Sequence, residues 1–210
     1  DMLLGSPVRQ AYDLEKEDPR IRDMYGNHIG GQTLLLSRRL VEAGVPVVQA
    51  LCSAGDLAGG GGDNWDTHRG HFPKMKNRLL PGFARAVSAL LADLDTRGML
   101  DETLVICGGE FGRTIYSQGK LTKNNHGRDH HGRCFTTWVA GGGFKGGYEH
   151  GQTDDHSYNI VKDPVHINDL NATLLQQMGI DHERLTYRFL GLDQRLTGVE
   201  GAKVIPQLVA

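Results

Sequence analysis

Thr103-Leu-Val-Ile-Cys-Gly-Gly-Glu110-Phe-Gly-Arg113-Thr114 is the stretch on which the fold reading turns. Leu104 to Cys107 form a continuous apolar run without alternation, the pattern of a parallel strand covered by helices on both faces. Glu110 follows at the carboxyl end of that strand, flanked by glycines. In open α/β sheets this edge is where loops converge on a ligand.

The segments on either side extend the same pattern. Before the central strand, Leu34, Leu35, Leu36, Leu40 and Val41 give helical spacing over residues 30–44, with Arg38 and Arg39 between them and Gly44 as the stop. Val45 to Leu51 is β-branched and apolar enough for a buried strand. A second helix is expected over residues 72–97, with Phe83, Val87, Leu90, Leu91 and Leu94 on one stripe, Pro81 dividing or kinking it, and Gly98 ending it. After the central strand, Cys134 to Ala140 mixes aromatic and β-branched residues, and Asn168 caps a helix closed by Gly179. Helix leading into strand, twice over, predicts an α/β fold in layers rather than a bundle. Residues 1–27 are charged and helix-compatible and belong on the outside, and 53–62 form a glycine- and alanine-rich loop.

The bulk numbers exclude several classes. At 210 residues and 39% hydrophobic content, a core needs no disulfides, and a net charge of -2 gives no field to recruit nucleic acid or an anionic membrane. No stretch approaches the roughly 20 apolar residues of a membrane span. The three cysteines, Cys52, Cys107 and Cys134, are separated, odd in number and apolar in surroundings, and are expected to be buried thiols. Gly141 to Gly147 has the look of a phosphate-binding loop, but the helix such a loop needs does not follow.

The 29 glycines and 10 histidines are the skewed counts, and they concentrate in loops. Asp66 lies with His68 and His71, Glu110 follows the central strand, and Asp129 precedes His130 and His131. Carboxylate with neutral imidazole is a mixed ligand set suited to zinc, manganese or iron, and less to calcium, which prefers oxygen alone. Arg113 and Arg128 adjoin these loops.

Trp65-Asp66-Thr67-His68, Gly109-Glu110-Phe111-Gly112-Arg113-Thr114, Gly127-Arg128-Asp129-His130, Ala140-Gly141-Gly142-Gly143 and Asp169-Leu-Asn-Ala172-Thr173 together resemble a bacterial sulfatase-like domain-of-unknown-function family within the alkaline phosphatase and sulfatase superfamily. The resemblance runs from about Leu3 to Leu196. It implies an alkaline-phosphatase-like, mostly parallel sheet with helices on both faces, of which this chain would be the carboxy-terminal part of one domain. It also implies metal ligands: Asp66 and His68 for one ion, Glu110 at a second position, and His130 with Asp129 as the late ligands. His71 competes with His68, and His131 with His130. Phe111 departs from the family pattern by standing where the superfamily has a histidine. Cys52-Ser53-Ala54-Gly55-Asp56 lacks the arginine of a sulfatase cysteine motif, so the nucleophile is expected outside these residues.

The function implied is a metal-dependent hydrolase of small-molecule phosphate or sulfate esters, with zinc as first choice of ion and manganese or iron behind it. Export to the periplasm is what the resemblance suggests for location. The alternative is a non-catalytic scaffold of the same kind that binds a ligand or a partner protein.

Overall fold

A computed structural model describes residues 6–53, 64–123 and 125–210. The expected loop over 53–62 and the first five residues of the amino-terminal segment therefore lie mostly or wholly outside the described residues. The chain divides into two compact units, Asp1–Met99 with Tyr116–Asp129, and Leu100–Ile115 with His130–Ala210.

The first unit is helical. Its elements are α1 (Ser6–Ala11), α2 (Pro19–Tyr25), α3 (Ile29–Glu42), α4 (His71–Lys74) and α5 (Leu80–Thr96). Asp18 caps α2 by accepting from the Arg20 amide, with Pro19 in the first turn. His28 caps α3 by accepting from the Gly31 amide through Nδ1. The α3 helix packs on α5, with α2 against both, around Tyr25, Leu34, Leu35, Leu79, Ala86, Leu90 and Leu94. The division expected at Pro81 falls beside it: α5 begins at Leu80 with Pro81 in its first turn, and a π-helical turn over Met75–Leu79 separates it from α4. The Leu80 amide there reaches back five residues to the Met75 carbonyl. The wider turn lengthens the hydrogen-bonded ring just where the proline ring and its missing N–H would disturb a regular α-helix.

This helical core encloses charge. Arg38 is 1% exposed, and its guanidinium meets Glu17 at 2.5 Å, Glu42 at 2.6 Å and Asp93 at 2.8 Å. Arg39 and Arg97 add ion pairs to Glu17 and Asp93. The Tyr25 hydroxyl donates to Asp93 at 3.0 Å. Burial, reinforced by the Asp93 charge, raises the Tyr25 pKa well beyond its ordinary value. Burial alone would raise Glu17, but hydrogen bonds from Arg38 and Arg39 outweigh it and hold the carboxyl below the usual range. The helical stripe read from sequence thus contains an acid, Asp93, which apolar periodicity does not reveal.

The second unit contains α6 (Ile167–Gln177) and eight strands: β1 (Val105–Cys107), β2 (Gly112–Arg113), β3 (His130–His131), β4 (Trp138–Ala140), β5 (Gln152–Thr153), β6 (Ile160–Lys162), β7 (Thr186–Phe189) and β8 (Leu192–Arg195). They form four two-stranded sheets, β1–β4, β2–β3, β5–β6 and β7–β8, and every pair is antiparallel. This overturns the expected mostly parallel, alkaline-phosphatase-like sheet with helices on both faces. The central apolar run is a three-residue strand with Ile106 half exposed, paired Val105 to Ala140 and Cys107 to Trp138. Continuity of apolar residues does not encode strand direction. Gly141 and Gly142 take positive φ and cross the start of β1, the Gly142 amide donating to the Leu100 carbonyl. A Cβ at Gly141 would collide with the Leu100 and Thr103 carbonyls.

The expected strand over Val45 to Leu51 is also absent; the segment carries no ladder, and Val47 and Leu51 are exposed. Pro46 lacks the amide a central strand needs. Of the cysteines, all three are free, but only Cys134 is buried; Cys52 and Cys107 are half-buried. Burial raises the pKa of the Cys107 thiol, and burial followed by the Asp154 charge raises that of Cys134. The α6 helix forms as its pattern predicts, but its cap is His166, two residues before the expected Asn168, in a reciprocal box with Asp169. Gly179 follows with positive φ.

Candidate metal-binding loops

In the first unit the acid–imidazole loop precedes α4. Asp66 Oδ1 lies 2.8 Å from His68 Nε2. Asp66 is exposed and His68 half-buried, so the pair faces solvent from a supported base. That base is the segment Asn125–Arg128. The Gly70 amide donates to Asn125 Oδ1 at 3.0 Å, the His71 amide to the His126 carbonyl at 2.9 Å, and the Arg128 amide to the Thr67 carbonyl at 3.3 Å. Gly127 lies so close to the His68 carbonyl that any Cβ would overlap it. Three hydrogen bonds and one glycine contact therefore fix the backbone on which Asp66 and His68 stand.

His68, not His71, meets Asp66. The His71 ring is turned inward, its Nδ1 2.6 Å from the hydroxyl of Thr67, which is itself buried. Thr67, Asn125 and His126 have supporting roles the sequence reading did not assign, although Thr67 lies inside the quoted Trp-Asp-Thr-His motif. Trp65 is tied down by donating Nε1–H to the Cys52 carbonyl at 2.7 Å and by edge contact with Phe83. The guanidinium of Arg128 lies over the Phe72 ring at 5.3 Å. Asp129 closes this unit.

In the second unit, β2 and β3 carry the other candidates. Their register sets Arg113 opposite His130 and Gly112 opposite His131. Strand alternation sends the two histidines to opposite faces, His130 exposed and His131 buried. His131 Nε2 lies 2.7 Å from the Tyr158 carbonyl and its ring stacks on Tyr158, so this imidazole is engaged as an internal strut. The Phe111 ring lies 4.2 Å from that of His130. Glu110 is exposed on the loop entering β2. The Gly141–Gly147 turn is occupied by its own chain: the Gly142 carbonyl accepts from Gln177, the Gly143 carbonyl from the Ala210 amide, and the Lys145 amide donates to Leu208.

These are loops of carboxylate, imidazole and guanidinium on a mixed helical and antiparallel chain. The chain belongs to the DUF1501 family, described as a protein of unknown function, whose profile matches residues 2–209. No curated protein and no solved structure matches it. The family resemblance thus holds for the domain of unknown function, and nothing in the comparisons extends it to the alkaline phosphatase and sulfatase superfamily. Among the described residues no helix is long and apolar enough to cross a membrane.

Proposed function

We propose that this chain carries the metal-binding part of a hydrolase acting on phosphate or sulfate esters. One observation carries the reading: a carboxylate oxygen and an imidazole nitrogen, Asp66 Oδ1 and His68 Nε2, held at 2.8 Å on a clamped loop. Two ligand atoms of a tetrahedral zinc site are about 3.4 Å apart, given metal–ligand distances near 2.0–2.1 Å. The pair would need to open by only a few tenths of an ångström, and its donor types suit zinc, manganese or iron. In this reading Asp129 is a further candidate ligand of the same unit, and Glu110 and His130 are the candidate ligands of the second unit. A bound divalent ion would supply charge neutralisation at the ester's non-bridging oxygens and at the departing oxygen.

The arginines supply the rest of the recognition. Arg128, whose guanidinium lies over the Phe72 ring, would present two N–H groups to the phosphoryl or sulfuryl oxygens, and Arg113 is the second candidate for that fork. Trp65 and Phe111 are assigned to packing and shielding. A non-catalytic, ligand-binding relative is the second reading, favoured by the Phe111 ring lying on His130.

The test is turnover of an aryl phosphate and an aryl sulfate, before and after chelation, by the hydrolase of which this chain is proposed to carry the metal-binding part, these 210 residues alone being expected to turn over neither. The proposal expects hydrolysis of at least one ester, lost on chelation and regained with zinc or manganese, and reduced at least a hundredfold in Asp66→Asn. Metal binding without turnover of either ester would favour the non-catalytic reading.

A further inference from the structure

The β7–β8 hairpin is exposed at every position along both strands. Its register pairs Thr186 with Arg195, Tyr187 with Gln194, Arg188 with Asp193 and Phe189 with Leu192. Opposed residues share a face, so Tyr187, Phe189, Leu192 and Gln194 form one side and Thr186, Arg188, Asp193 and Arg195 the other. Tyr187 is 71% exposed, Leu192 65% and Leu196, just after the strand, 67%. Asp193 and Arg195 make no ion pair among the described residues. A two-stranded ribbon is marginal by itself, and β8 has a second edge that pairs with no other strand among those described.

We propose that this edge receives a second copy of the same chain, β8 pairing antiparallel with β8 about a two-fold axis at Gln194. That register sets Asp193 opposite Arg195 of the second copy and Arg195 opposite its Asp193. The spacing of acid and base around Gln194 is self-complementary, as a two-fold contact requires. The outer edge of β7 is not: Thr186, Arg188 and their neighbours contain no acid to meet the arginine.

Sedimentation velocity of the protein over a concentration series tests this, with Asp193→Arg, Arg195→Asp and the double exchange compared. All three changes are at exposed positions, so folding, checked by circular dichroism, is expected to be intact. Each single reversal replaces two attractive pairs by two repulsive ones and should weaken dimerisation about tenfold, while the double exchange restores it. A monomer at every soluble concentration would overturn the proposal. So would a dimer indifferent to the single reversals, or a double exchange no better than the worse single. Association abolished by Leu192→Ser but untouched by both reversals would mean apolar packing without strand pairing, and would equally overturn it.

Discussion

Gly127 is the residue on which the acid–imidazole loop most directly depends. A methyl group there would overlap the His68 carbonyl, so Gly127→Ala must displace either the 125–128 segment or the loop that bears His68. Overpacking of this kind costs about 1–3 kcal/mol, and thermal unfolding of the variant would show it. Because the displaced backbone carries a proposed ligand, metal affinity should fall at least tenfold as well; a stability loss with undiminished affinity would separate His68 from metal binding. Arg38 is the corresponding residue of the helical core. Arg38→Met leaves Glu17 and Asp93 buried without their central cation, and should cost about 3–5 kcal/mol by denaturant titration. Glu17 adds a pH dependence with a definite sign. Its carboxyl is held below the ordinary value of 4.5 in the folded chain, so its contribution is complete above that pH and is lost as pH falls through the lower, folded value. Glu17→Gln should flatten that part of the acid stability profile, and an unchanged profile would contradict the assignment.

The α6 helix shows what motif residues do when they serve structure. Asp169 accepts from the His166 amide and, through its other oxygen, from the Lys203 amide at 2.8 Å. Buried Thr173 donates to the Asp169 carbonyl and accepts from the Ile205 amide. Asp169 and Thr173, quoted above for a family resemblance, thus pin residues 203–205 along the helix. Thr173→Val keeps the shape but orphans the Ile205 amide, for an expected loss of about 1–3 kcal/mol; calorimetry would measure it, and no loss would mean the amide finds another acceptor. The helices were legible in sequence because apolar spacing and glycine stops are local signals: α3 falls within a few residues of expectation, and the second expected helix is matched by α4, the π-helical turn and α5 together. Strand direction was not, since Leu104 to Cys107 reads identically in parallel and antiparallel sheets, and the partner that sets it, Trp138 to Ala140, lies some thirty residues away. Asp93 and Arg38 were hidden for the same reason, each neutralised by groups distant in the chain. At the acid–imidazole loop the sequence shows the Asp66 and His68 pair by its spacing, but not the clamp of Asn125 to Arg128 that holds it, because those contacts are nonlocal.

For the molecule as a whole, membership of a family of unknown function leaves the chemistry to be established on this chain, and antiparallel two-stranded sheets remove fold analogy as a support for hydrolysis. The account therefore stands on its ligands. Its central claim is that Asp66 and His68 bind a divalent transition metal, and the most direct measurement is the metal content of the purified protein by inductively coupled plasma mass spectrometry after dialysis against zinc or manganese. The account predicts at least about one equivalent of ion per chain, reduced to background in the Asp66→Asn, His68→Gln double variant while its circular dichroism remains that of the parent. Background metal in the parent, or full occupancy surviving in the folded double variant, would contradict it.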